Sequence, residues 1–496
     1  FQEIIDEPIK SKKKELLSDL VKTTDGFEDF LLKHPKKAIP IFQQGLEDSL
    51  QTRNPDLEKI AEFFNYIGVA YLSLENFPSS LSHFYNALLI REKILGTWDL
   101  LTAQSYDNVG SSLKGLGHFE LALEYGLKSL EIGEKILGKE HPYTATSYGN
   151  VGTTLWSLGY PKPALVYLQK SLDMLLMSGN YDLSIIATYG NIGICLSDLN
   201  LFQEALVYNK KALEISKQVL GKEHPETAKA YNNIGVTLSK MGLHEEALRK
   251  KYKSLGIYKK VWGRDHPATA GAYSNIGLTL DHLGQYEKAL EYQFISIEIC
   301  EKTLGKEHLD TALSYNNAGT SLSSLGRHSE ALKYEKESLL IYEKILGRDH
   351  PWTAQINENI GNSLNDLERY EEALKYLLRS LEVRKITNEK NYSKIALSHN
   401  NIGFVLMDLG RKEEALQNLQ KAFIISCEVH VEKHSDHEYY LKNLIWCLNK
   451  QPDQQHCERV KQEVLSICID KFGKDDPFTQ LLQEACHNID ESRSLS

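Results

Sequence analysis

Histidine is the residue type here whose recurrence most invites chemistry. His141, His224, His266, His308 and His350 stand in one repeating local setting, followed by proline in four of the five copies. Imidazoles ligate metals, but ligands must converge within a few ångströms of one ion. If the setting recurs once per helix pair, equivalent atoms stand roughly 10 Å apart, a usual helix-packing distance. The histidines are therefore expected to be turn and cap residues, and no metal site is expected. The sequence carries no G-x-x-x-x-G-K-[ST], H-E-x-x-H or G-x-S-x-G, the spacings that cradle phosphate, hold zinc or expose a nucleophilic serine. Seven cysteines include no C-x-x-C. They read as small buried hydrophobes in a reducing cytoplasm. No catalytic centre and no cofactor are expected.

The elements that place these residues repeat. Gly68, Gly110, Gly152, Gly193, Gly235, Gly277, Gly319, Gly361 and Gly403 follow one another at intervals of 42, with a single interval of 41 between Gly152 and Gly193. Twelve residues after each stands a small residue, Ser80 and then alanine from Ala122 to Ala415. A fixed period of this length marks one supersecondary unit stacked on copies of itself. In the copy at 227–267, Ala228, Tyr231, Ile234, Gly235 and Leu238 define one helical face. Met241-Gly242 closes that helix, the glycine taking a left-handed cap. A second helix follows on Ala247, Leu248, Leu255 and Tyr258, and Gly-Arg-Asp-His-Pro stops it and starts the next, proline being tolerated in a first helical turn. Glycine and the alanine twelve later mark where two backbones approach closely.

This pattern resembles the tetratricopeptide repeat in its 42-residue form, found in kinesin light chains and their relatives. The matching residues are Tyr231-Asn232-Asn233-Ile234-Gly235, Met241-Gly242, Glu246-Ala247-Leu248 and the Leu-Gly-Lys-Glu-His-Pro-x-Thr-Ala of 137–145 and 220–228. The resemblance implies an all-α, right-handed superhelical solenoid of stacked antiparallel helix pairs, whose first helices line a concave, ligand-binding surface. The acidic net charge of −10 argues against general nucleic-acid binding, and no apolar run is long enough for a membrane span.

With each anchor glycine as the zero of a helical wheel of ~100° per residue, the core face lies near about −50°. Positions −6, −3, +1, +4 and +5 gather around about +90°, on the surface the resemblance makes concave. At position −2 an asparagine ladder runs from Asn108 through Asn150, Asn191, Asn233, Asn275, Asn317, Asn359 and Asn401 to Asn443. Asparagine is a mediocre helix former, so the ladder needs a reason; bonding between neighbouring repeats is favoured over ligand contact. Asn65, Asn232, Asn316 and Asn400, at −3 in only some copies, are the candidates for a ligand's backbone, as groove asparagines serve in kinesin light chains. Trp156 and Ile194, beside the side-chain-free Gly149 and Gly190, suggest an apolar pocket, unless Trp156 merely packs on the next helix. Lys114 is a further groove cation. Lys229, Asn232, Lys240 and His282 suggest a separate site for a carboxylate, although acids such as Asp198 and Asp281 make the groove mixed.

The expected organisation is a basic segment at 1–14, a degenerate amino-terminal cap repeat at 15–50 with Pro40 in a first helical turn, nine repeats over 51–431, a worn tenth repeat and capping helix at 432–489, and a tail at 490–496. The expected function is a non-enzymatic scaffold or adaptor in the cytoplasm that binds a protein or peptide in the groove. The alternative is the ligand-sensing region of a larger switch protein, with an effector domain upstream of residue 1.

Overall fold

The computed structural model describes residues 35–74, 76–178, 183–386, 392–429, 435–451, 454–477, 479–480 and 482–483. The expected basic segment at 1–14 and the tail at 490–496 lie outside them. Among the described residues there are 21 helices and no strand. The chain divides into two compact units, Phe1–Arg264 and Asp265–Ser496.

In the first unit α1 (Pro35–Leu50) precedes five pairs: α2 (Leu57–Ser73) with α3 (Phe77–Leu95), α4 (Leu100–Gly115) with α5 (Phe119–Leu137), α6 (Pro142–Ser157) with α7 (Pro161–Ser178), α8 (Leu183–Asp198) with α9 (Phe202–Val219), and α10 (Pro225–Lys240) with α11 (His244–Trp262). The second unit holds α12 (Pro267–His282) with α13 (Tyr286–Thr303), α14 (Leu309–Ser324) with α15 (His328–Leu346), α16 (Pro351–Asp366) with α17 (Tyr370–Ile386), α18 (Tyr392–Asp408) with α19 (Lys412–Val429), and the worn pair α20 (Ser435–Leu448) with α21 (Gln454–Phe472). Within each unit a helix packs chiefly on the helices before and after it, as in a solenoid. Pro40 lies at the sixth position of α1 rather than in its first turn, which Pro35 opens.

The anchor glycines are where paired helices touch. A Cβ on Gly152 would stand 3.2 Å from the Ala164 carbonyl oxygen, and one on Gly235 equally close to that of Ala247. The residue seven after the anchor turns the chain with positive φ. It is Gly242 (φ 78°) in one copy, and Asn200 (φ 62°) and Glu368 (φ 58°) take the same conformation where glycine is missing.

The recurring histidines are amino-terminal caps. His141, His224, His266, His308 and His350 each accept, through Nδ1, the backbone N–H two residues on, at 3.1–3.2 Å. A threonine one turn later adds a clamp. The Thr144, Thr227, Thr311 and Thr353 hydroxyls donate to the carbonyls of Gly138, Gly221, Gly305 and Gly347 at 2.7–3.0 Å. Thr479 makes the same bond to Gly473, so the chain after Asp476-Pro477 starts as a repeat does.

Six described cysteines, Cys195, Cys300, Cys427, Cys447, Cys457 and Cys468, are buried free thiols; Cys486 lies outside the described residues. Burial pushes the Cys195 and Cys468 thiols up to about 12, away from the reactive thiolate.

Candidate functional site

The asparagine ladder sets the geometry of the first-helix face. Six of its asparagines at −2 reach back to the −3 residue of the preceding repeat. Asn108 Nδ2 donates to Asn65 Oδ1 at 2.8 Å, Asn317 to Ser274 Oγ at 2.9 Å, Asn359 to Asn316 Oδ1 at 2.9 Å and Asn443 to Asn400 Oδ1 at 2.9 Å. Asn150 and Asn401 reach the carboxylates of Asp107 and Glu358 at a longer 3.4 Å. In those six pairs position −3 varies among groups that accept a hydrogen bond, which a sequence reading of the slot as free for ligand does not capture. Asn65, Asn316 and Asn400 all use their carbonyl oxygens on the ladder, and Asn400 is fully buried. Asn232 is half-buried on α10. At Gly190 the acceptor is missing, and Asn233 Nδ2 lies 3.3 Å from where a Cβ would be.

Trp156 and Lys240, read as parts of separate features, meet through one residue. The indole Nε1 donates to Asp198 Oδ2 at 2.6 Å, and Lys240 Nζ stands 2.6 Å from the other carboxylate oxygen. The three come from α6, α8 and α10, so the network ties three successive repeats. Trp156 is half-buried and packs in part against the first unit's core. Ile194 is half-buried on α8.

Lys114 donates to Thr153 Oγ1 of the next repeat at 3.0 Å. The surrounding protein lowers its pKa, and Lys229 lowers it further by like charge. Lys114 is on α4 and Lys229 on α10, three repeats on. Lys229 itself is half-exposed, with Glu226 3.8 Å away. His282 ends α12 in the second unit and is exposed.

Second helices contribute what first-helix positions do not show. Sixteen residues after the anchor, the buried slot is polar in Asn209, Lys251, Gln293 and Glu335, and leucine in Leu168, Leu377 and Leu419. These side chains cross beneath the anchor glycine. Asn209 Nδ2 donates to Thr237 at 3.1 Å, and Ser363 to Glu335 Oε1 at 3.1 Å. Lys251 Nζ reaches Ser239, a groove position of its own first helix, at 3.2 Å. Burial lowers Lys251 to about 8 and raises Glu335 to about 7. Among the described residues no cluster of His, Cys, Asp and Glu could hold a metal ion, and no helix is long and apolar enough to cross a membrane.

Stacked helix pairs and polar bonds between neighbouring repeats define a helical-repeat protein. The chain belongs to the tetratricopeptide repeat family. One model of that repeat matches residues 59–134, 115–176, 184–260, 233–293, 268–344 and 336–386, and a second matches 396–436. A search of curated proteins found no match. Among solved structures, a Rap protein complexed with competence and sporulation factor is 18% identical, with a TM-score of 0.56, over 72% of this chain and 97% of that one. The Rap conjugation gene regulator of plasmid pLS20, in complex with the Phr* peptide, is 16% identical, with a TM-score of 0.50, over 72% and 96%. A putative kinesin light chain from Podosopora anserina is 19% identical, over 42% of this chain and 99% of that one, with a TM-score of 0.36.

Proposed function

We propose that the first-helix face is a docking groove for an extended peptide or a partner helix, and that the protein is a non-enzymatic scaffold. The observation that carries this reading is the set of side-chain bonds that join first helices of successive repeats, Lys114 to Thr153 and Trp156 and Lys240 to Asp198, which make α4, α6, α8 and α10 one continuous face. Two proteins that share the fold were solved with a bound factor or peptide, which supports the same use of the array here. Buried free thiols fit a reducing compartment such as the cytoplasm.

In the first unit the candidate ligand contacts are Trp156 and Ile194 for an apolar anchor, Lys114, Lys229 and Lys240 for an acid, and Asn65 and Asn232 for backbone groups; in the second they are His282 for an acid and Asn316 for backbone groups. Asn65 and Asn316 give their oxygens to the ladder and keep an N–H pair for a ligand, whereas Asn400 is fully buried and spends its N–H groups on Asn401 and Tyr439. An acid docking at Lys240 would compete with Asp198, so affinity for it should be modest until Asp198 is removed.

The test is to select peptides from a random library on the full chain and titrate them against variants at two salt concentrations. Loss of a buried aromatic anchor costs about 2 kcal/mol or more. Trp156→Ala should therefore weaken binding more than tenfold at either salt, at about 1.4 kcal/mol per decade. Lys229→Glu with Lys240→Glu should weaken it mainly at low salt, because exposed charges are screened. Selected peptides that bind all these variants as they bind the wild type would place the ligand elsewhere.

A further inference from the structure

On the second-helix side of the first unit, α7 and α9 leave a cavity of about 440 Å3 between them, within the usual size of a ligand-accepting cleft. Ile192 and Leu196 of α8 form its floor and Leu165 part of its wall. It lies at the junction of repeats three and four, where the period falls to 41.

The surface beside it is unlike the rest of the array. Fourteen residues after the anchor, a solvent-facing slot is polar or charged in seven repeats, from Ser82 and Glu124 to Lys375 and Gln417. In repeats three and four it is Val166 and Val207, 56% and 61% exposed. Val166 lines the cavity, and Val207 adjoins Tyr208, which lines it from α9. A solvated slot that turns apolar only in two adjacent repeats, one valine lining the cavity and the other next in sequence to a lining residue, marks an interaction surface.

The charges at the mouth state what it would take. Asp173 stands on α7 and Glu204 on α9, and among the described residues neither forms an ion pair. Gln169 is held between the walls. Its Nε2 donates to Asp173 at 2.9 Å and its Oε1 accepts from the Tyr208 hydroxyl at 3.3 Å. The one lysine in the lining, Lys170, has its ammonium over the rings of Tyr148 and Tyr167, at 5.4 and 5.9 Å. The mouth therefore presents two uncompensated carboxylates over an apolar floor.

We propose that this is a second docking surface, for a partner-protein segment that buries one large aliphatic or aromatic side chain in the cavity and sets an arginine or lysine between Asp173 and Glu204.

The probes are two labelled, acetylated tripeptide amides, Leu-Phe-Arg and Leu-Phe-Glu, titrated against the full chain by fluorescence anisotropy. The arginine peptide should bind at least fivefold more tightly than the glutamate peptide. Val166→Asn and Val207→Asn, which remove the apolar contact at exposed positions without adding charge, should each weaken it severalfold. Asp173→Lys with Glu204→Lys should invert the preference. Trp156→Ala should leave arginine-peptide binding unchanged, separating this surface from the first-helix groove. The proposal is overturned by no binding of the arginine peptide, by equal binding of the two peptides, by indifference to the valine variants, or by loss of binding in Trp156→Ala. Sedimentation of the wild type as a dimer that Val166→Asn dissociates would overturn it too, by giving the surface to a second copy.

Discussion

At the scale of single residues, the buried polar slot beneath the anchor glycines controls how stability depends on pH. Glu335 is 1% exposed; one carboxyl oxygen accepts from Ser363, the other has no hydrogen-bond partner, and Asp366 adds like charge. Burial raises its pKa to about 7. An acid raised on folding holds its proton longer in the native state, so stability should be greatest below about pH 4.5 for this group and should fall as pH rises towards 7. Glu335→Gln should remove that slope and stabilise the second unit at pH 8 by about 2–3 kcal/mol, because each tenfold change in proton affinity on folding is worth about 1.4 kcal/mol. Thermal melts of both proteins at pH 5 and pH 8 check this; equal gains at both would refute the titration. Lys251 carries the opposite sign. Its pKa is lowered to about 8, so stability should rise as pH climbs from 8 towards the unfolded value of about 10.4. Lys251→Leu, the residue found at this slot as Leu377 and Leu419, should stabilise at pH 7 by roughly 2 kcal/mol or more, since it removes the penalty of a buried cation. This row was open to a count of sixteen from each glycine, but amphipathic periodicity treats Lys251 and Glu335 as surface residues. Their burial follows from the anchor glycine, which leaves a passage that long side chains can cross.

At the scale of the helix pair, the sequence already showed most of what holds the unit together. Gly-Arg-Asp-His-Pro reads as a stop and a start, and the structure makes its histidine a cap. Glycine with alanine twelve later reads as a close approach, and the carbonyl distances at those glycines are such approaches. The threonine clamp was hidden because it joins two motif residues six apart, across a turn whose geometry periodicity does not describe. Pro40 was placed too early in its helix because the signal for the start, Pro35, lies one turn upstream. The asparagine ladder was legible as a structural feature, but not its acceptor, since position −3 changes chemistry from copy to copy. Gly361→Ala tests the close approach. Alanine favours helix by about 1 kcal/mol over glycine, yet its Cβ would meet Leu377 Cγ at 2.6 Å and the Ala373 carbonyl oxygen at 3.3 Å. A backbone carbonyl cannot turn aside as a side chain can, so overpacking should win and the variant should lose about 1–3 kcal/mol. A denaturant titration in which Gly361→Ala is as stable as the wild type would contradict it.

At the scale of the whole molecule, the contacts within each unit are short-ranged: neighbouring repeats bond through ladder asparagines, through hydroxyls and acids two helices apart, and through loop-to-helix pairs such as Lys344 with Glu307 at 2.6 Å. The last is exposed and contributes little by itself. A body held this way has stability that sums over repeats and their junctions. A local lesion should therefore loosen the structure locally, unlike one in a single-core domain, where it would lower protection throughout. Asn359→Ala removes the donor that binds Asn316, between α14 and α16, and leaves both helices with their own pairs. It should cost about 1 kcal/mol, the usual net value of such a bond. Hydrogen exchange should quicken in α14 to α17 and stay unchanged in α2 to α7 of the first unit. Gly152→Ala, whose Cβ would meet Leu168 Cγ at 2.8 Å, should give the reverse map, with faster exchange in α6 and α7 and none of the change in α16 and α17. Uniform acceleration across both units in either variant would show that the array unfolds as one cooperative body, and that its junctions do not act as separate terms.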